Sequence, residues 1–158
     1  MLLVPSLQGC GRAERKLAEG VPASPFDADS TAEDVTQGLD LTGKLAVVTG
    51  CTSGIGFETM RVLALRGCHV LGTGRTLEKA SKACASVPGK ATPLVLELSD
   101  FQSPVDCAAA VKTLGLVPDI LIFNAGINTF GELELVNGIE KIFVVNFLGH
   151  FVLAHHLL

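Results

Sequence analysis

The chain has no tyrosine and no tryptophan among its 158 residues. Acid–base chemistry that relies on a phenol is therefore closed to these residues. Basic charge is also scarce. Lysine and arginine number 12 against 16 aspartates and glutamates, a net charge of −4, which gives no electrostatic footprint for nucleic acid or an anionic membrane surface. Long apolar runs are missing: none nears the ~20 residues of a transmembrane span. The start, MLLVPSLQGCGRAERK, makes a poor signal peptide, because its apolar run stops at Pro5 and its basic residues follow that run. Metal-ligand spacing is absent as well. Cys10, Cys51, Cys68, Cys84 and Cys107 are odd in number and form no CxxC pair. The expectation is reduced thiols in a cytoplasmic setting and no metal site.

An apolar fraction of 48% belongs to a globular chain, and the length suits one domain with a real core. Residues 1–29 hold three of the seven prolines and show no period, so they read as a flexible N-terminal arm. The domain then occupies 30–158. STAE at 30–33 fits a capping box, with Ser30 and Glu33 closing a short helix that ends near Gly38. From Lys44 the pattern alternates. Strands are expected at 45–49, 69–74, 92–98 and 119–123, and helices at 54–66, 77–85 and 101–114. A long helix is expected from about 137 onward. The first strand run, LAVVT at 45–49, is short, β-branched and apolar, as a buried parallel strand should be. Strands of this kind alternating with helices predict an α/β, Rossmann-type parallel sheet with helices on both faces. The four strands are expected in the order 3-2-1-4.

The densest signal is TGCTSGIG at 49–56, between a strand and a helix. A helix N-terminus presents unpaired N–H groups and partial positive charge, so this junction makes an anion site. Gly50 allows a sharp turn off the strand. Gly54 allows backbone to approach a pyrophosphate, and Gly56 allows the helix to pack closely on the sheet. Thr52 and Ser53 add hydroxyl donors, and Ile55 completes the turn. The spelling is TGxxxGxG. It is not GxGxxG, because Thr52 stands at the second glycine, and no GK[ST] follows to make a Walker loop.

That spelling resembles the short-chain dehydrogenase/reductase family. NAG at 124–126 follows the fourth strand as the family's NNAG does, with Phe123 in place of the first Asn. VVNFLGHF at 144–151 is similar to the family's asparagine-bearing helix, and LDLTGKLAVVTG at 39–50 to its entry strand. The wording SGIGFETMRVLALRGCHV and VVNFLGHFVLAHHLL is closest to retinol-dehydrogenase-like members.

The resemblance implies an oxidoreductase that moves a hydride between NAD(P)(H) and a carbonyl or alcohol. At the end of the second strand, where the adenosine ribose is read, stands Arg75. A guanidinium grips a 2′-phosphate with two donors, so NADP is favoured over NAD. A solvated arginine at that place is compatible with either. Glu97 stands where the family has an Asp near the adenine amino group, and Leu98 would supply backbone groups to the same ring. Asn124, Ala125 and Gly126 would floor the ribose. Asn146 matches the family's catalytic-relay asparagine, expected to bend its helix and hold a water. The relay's Ser, Tyr and Lys have no counterparts here. The chain therefore reads as the cofactor-binding part of a reductase, cut short within a helix and inactive alone. The alternative is a non-catalytic dinucleotide-binding or interaction protein. The resemblance also leaves room for a homo-oligomer.

Overall fold

The computed structural model describes residues 24–128 and 131–158. Most of the proposed arm, residues 1–23, lies outside the described residues. Residues 24–30 belong to a separate compact unit, in which the Asp27 carboxylate accepts from the N–H groups of Asp29 and Ser30.

The second unit begins with helix α1, Ala32–Val35. Its capping box sits one residue later than the sequence suggests. Thr31 and Asp34 close it, each side chain accepting from the other's backbone N–H. Ser30 is drawn instead into the Asp27 turn, and Glu33 is freed to pair with Arg61 at 2.8 Å. Asp serves at N3 because its carboxylate reaches back to the cap as Glu does.

Strand β1 is Leu45–Val48, helix α2 Gly54–Leu65 and strand β2 His69–Gly74. Gly67 ends α2 with φ +89°, while its N–H and that of Cys68 donate to Ala64 and Leu63 carbonyls. That double bond is a Schellman stop. Helix α3, Leu77–Ala85, begins at a Thr76 cap. Strand β3 is Ala91–Val95, helix α4 Gln102–Thr113 and strand β4 Ile120–Ile122. The strands run parallel in the order β3-β2-β1-β4, with Ala46 beside Val70 on one side and Ile120 on the other. The expected topology is borne out. β3 stops three residues short of expectation, so Glu97 and Leu98 lie on the following turn. Pro93 marks β3 as an edge strand, where a missing N–H is tolerated.

β1 shows why the sheet must be covered twice. Ala46 and Val48 pack toward Met60 and Ala64 of α2, whereas Leu45 and Val47 pack with Val111 of α4. All four β1 residues are at most 4% exposed. Burying each Val or Leu stabilises the fold by roughly 1.5–3 kcal/mol.

The long helix begins later than expected. Residues 137–140 do not belong to it: strands β5 (Leu135–Val136) and β6 (Ile139–Glu140) form a hairpin around Asn137 and Gly138. Both turn residues are left-handed, at φ +52° and +80°, which Asn-Gly adopts readily. Glu140 then caps helix α5, Lys141–Phe143, by accepting from the N–H groups of Ile142 and Phe143. A wider π-helical stretch, Val144–Leu148, follows, and helix α6 runs Gly149–Leu157.

Candidate functional site

The carboxyl ends of the strands open on a groove of about 610 Å³. Gly50, Thr52, Ser53, Ile55, Gly56, Arg75, Glu97, Leu98, Asn124, Ala125 and Gly126 all line it. Gly54 lies within the same turn, and Asn146 stands behind it. Lys79, Ser99, Lys141 and Val145 line the groove as well.

The three glycines of the turn are required for three different reasons. Gly50 has φ +73°, and a Cβ there would meet Ala125 at 2.9 Å. Gly54 has φ +59° with nothing within 4 Å of where a Cβ would stand, so its surface is bare and open. Gly56 has an ordinary backbone, but a Cβ would lie 2.3 Å from both the Asn124 amide nitrogen and the Gly50 carbonyl oxygen. A side chain is forbidden here by close approach both to the chain leaving β1, at the Gly50 carbonyl, and to the 124–126 turn, at the Asn124 amide.

The α2 N-terminus is free to receive an anion. Ser53 sits at the cap position without bonding back to the helix, and no acidic residue occupies the first turn. The first backbone bond comes from Phe57 N–H to the Ser53 carbonyl, leaving the preceding N–H groups directed outward. Ile55 is 80% exposed on the lip, an apolar surface beside a polar cradle. Arg75 is exposed at the end of β2 and, among the described residues, makes no hydrogen bond or ion pair. On the turn after β3, Glu97 Oε1 is occupied, accepting from the N–H and hydroxyl of Ser99 at 3.0 and 2.7 Å. Leu98 is buried and packs where Gly149 approaches: a Cβ on Gly149 would sit 2.7 Å from the Leu98 carbonyl oxygen.

Asn124 and Ala125 are held by a residue that sequence reasoning passed over. Thr49, fully buried, accepts both of their N–H groups on Oγ1, at 3.0 and 2.9 Å. Asn124 returns a bond from its side-chain amide to the Thr49 carbonyl at 2.9 Å. The signal was in the motif, whose first letter is this threonine.

Asn146 is exposed rather than buried, but both ends of its amide are used. Oδ1 accepts from Ile127 N–H at 2.8 Å, and Nδ2 donates to the Ile127 carbonyl at 2.9 Å. It sits within the π-helical stretch, a distortion frequent at functional sites. Its side chain is a clamp on the loop after β4, so in these residues Asn146 positions the floor of the groove.

Among the described residues no cysteine lines this groove. Cys51, Cys68, Cys84 and Cys107 are buried and unpaired, and burial pushes the Cys51 thiol up to about 12 and that of Cys107 to about 11. Among the described residues no helix is long and apolar enough to cross a membrane.

Comparison with known proteins points one way. Residues 44–158 match the family model described as short chain dehydrogenase. The WW domain-containing oxidoreductase of Homo sapiens is 36% identical over 137 residues, covering 84% of this chain and 33% of its own length. Short-chain dehydrogenase TIC 32 A, chloroplastic, of Brassica napus is 37% identical over 141 residues, covering 85% of this chain and 44% of its own. The crystal structure of a metagenomic short-chain oxidoreductase in complex with NADP superposes with TM-score 0.64 at 27% identity, covering 73% of this chain and 55% of that one. The chain spans about a third to a half of the length of these relatives.

Proposed function

Because the chain belongs to the short-chain dehydrogenase family, we propose that its groove binds a nicotinamide dinucleotide, NADP in preference to NAD. The observation that carries the reading is the cradle: a bare left-handed Gly54 on a free helix N-terminus, with unpaired Arg75 one strand away. The pyrophosphate lies on the N–H groups of 53–56. Thr52 and Ser53 offer hydroxyls to it, and Ile55 covers it. The adenine lies by the Glu97–Leu98 turn, where Glu97 Oε2 stays available. Asn124, Ala125 and Gly126 floor the ribose, held from behind by Thr49 and Asn146. Arg75 meets the 2′-phosphate.

When bound, the dinucleotide supplies the hydride. The reaction of the whole enzyme is then hydride exchange with a carbonyl or alcohol, as in an oxidoreductase. The narrower retinol-dehydrogenase-like reading rests on the wording around Gly56 and Gly149. Cytoplasmic residence fits the buried free thiols, whereas two relatives from Brassica napus are named chloroplastic. Homo-oligomerisation belongs to the same proposal and is checked by sedimentation.

The missing phenol favours a second reading, in which these residues bind the dinucleotide without chemistry. Proton delivery to a developing alkoxide contributes typically ~10²–10⁴-fold, and this sequence holds no tyrosine to provide it. NADPH oxidation with a panel of aldehydes and ketones separates the two: saturable turnover by these residues alone removes the second reading.

The test of the first is calorimetric titration of NADP and NAD into wild type and Arg75→Asp. Losing a charge-assisted pair worth ~1.5–3 kcal/mol weakens NADP about 10- to 150-fold and brings NAD ahead. Equal affinity for both dinucleotides in both proteins sinks the assignment of Arg75.

A further inference from the structure

One helical turn beyond Asn146 lies His150, buried at 5% exposure beneath the 124–126 turn. Its Nε2 is 2.9 Å from Thr49 Oγ1. That oxygen already accepts the N–H groups of Asn124 and Ala125. A hydroxyl has two lone pairs to receive with and one proton to give. With both lone pairs taken, the Thr49 proton has one direction left, toward Nε2. The ring must therefore be bare at Nε2 and protonated at Nδ1. Nδ1 in turn faces the Asn146 carbonyl at 3.3 Å. Counting donors thus assigns the tautomer. Phe123 lies against the ring, with centroids 5.1 Å apart.

We propose that His150 is a positioning residue for the Asn124–Ala125 turn: its neutral ring takes the Thr49 hydroxyl proton and so holds the Thr49 oxygen where both N–H groups donate to it. That the turn is the floor of a dinucleotide groove rests on the function proposed above; the hold on the turn does not. Asn146 and His150 then grip the two ends of the same loop from one helix, Asn146 at Ile127 and His150 through Thr49.

A protonated ring breaks the count. It adds a third donor to the Thr49 oxygen and leaves the hydroxyl proton without an acceptor. Burial already pushes the His150 ring below its ordinary value, with the Asn146 carbonyl working the other way. No charged side chain is among the causes of that shift. β1 and β4 carry no titratable side chain, and the turn after β1 brings only the buried Cys51. α4, which packs on α6, brings Asp106, Cys107 and Lys112. The helical stretch 141–157 brings Lys141, paired with Glu134, and His155 and His156. The neutral ring therefore holds at neutral pH, and acid releases the turn.

The test uses the full chain, isotope-labelled and free of ligand, titrated from neutral pH downward by NMR. The expected result is Nδ1 protonated and Nε2 bare, with the Asn124 and Ala125 amides exchanging slowly and shifting as His150 titrates. His150→Gln keeps an acceptor near the Nε2 position, so it keeps both amides protected and abolishes their pH dependence. His150→Leu keeps the bulk and loses the acceptor. It speeds exchange of both amides and weakens NADP(H) binding about three- to tenfold, the worth of one hydrogen bond. A proton on Nε2 at neutral pH overturns the proposal, as do amides indifferent to the titration or wild-type behaviour of His150→Leu. If that variant does not fold, the ring nitrogens of the wild type decide. A wild type that fails to bind dinucleotide while ring and amides behave as expected removes the groove's function and leaves the hold on the turn intact.

Discussion

β1 and β4 are neighbours in one sheet, built from nearly the same letters, LAVV and ILI, and they are not buried alike. β1 is closed on both faces and both edges, with Val47 and Val48 fully buried. β4 is half-buried, and among the described residues it forms one edge of the sheet, opposite β3. Beside it Phe123 is 41% exposed, and Phe143, Phe147 and Phe151 stack along the helix at 48%, 55% and 61% exposure. The candidate groove straddles this seam. On the β1 side it is shaped by steric fit, glycines placed where no side chain has room. On the β4 side it is held by polar clamps, from Thr49, Asn146 and His150. Apolar letters state a need for burial; which strand meets that need depends on what packs against it.

The contrast should break most sharply at Gly56. Gly56→Ala places a methyl 2.3 Å from the Asn124 side-chain amide and from the Gly50 carbonyl oxygen, and the latter is backbone that cannot give way cheaply. Overpacking of this kind costs about 3 kcal/mol. Urea melts should show that loss, and dinucleotide titration should show no binding. A variant of wild-type stability would mean that the β1 side is looser than its fit implies.

Next in size is a matched pair in the strands themselves. Leu71 in β2 is fully buried, whereas Leu121 in β4 is only partly so. Leu71→Ala should cost about 3 kcal/mol and Leu121→Ala about 1 kcal/mol, because a half-exposed site loses less contact and leaves no closed cavity. Equal losses in denaturant melts would show the two sides to be equally packed.

The smallest effect lies at the opposite end of the same seam. Asp119, just before β4, accepts from Lys44 Nζ at 2.8 Å and from Leu45 N–H at 2.9 Å, tying β4 to the start of β1. The Lys44 bond, then the Leu45 N–H, hold its carboxyl below the ordinary 3.8. A depressed carboxylate stabilises the fold above its unfolded value, and that contribution is lost as pH falls through the folded one. Both groups are well hydrated, so the effect is small. Urea midpoints of wild type and Asp119→Asn should differ slightly at neutral pH and converge in acid. A constant gap across that range would rule out the ion pair as the cause.

Local patterns revealed the fold well wherever a single element carried its own punctuation. β2 and α3 have the expected ends because Gly74 closes one strand and Thr76 opens the next helix. The Asn137–Gly138 hairpin is just as local, but its apolar neighbours also suit a helical period, so the letters alone do not separate it from the helix that follows. The groove's lining was readable from TGCTSGIG, NAG and Arg75, as these are contiguous letters at strand ends. The hub that holds it was not. Thr49 and His150 are 101 residues apart, and nothing local to either announces the other.

The sequence by itself determined a parallel α/β sheet, its strand order and the place of the glycine turn, because apolar period, turn residues and crossover handedness are local or nearly local constraints. Only the tertiary structure decided why Gly56 must lack a side chain, which tautomer His150 adopts and what the Asn146 amide grips. Each of those answers depends on atoms from strands and helices distant in the chain brought within hydrogen-bonding or van der Waals reach. At such distances it is geometry, and not residue type, that says whether a group is satisfied.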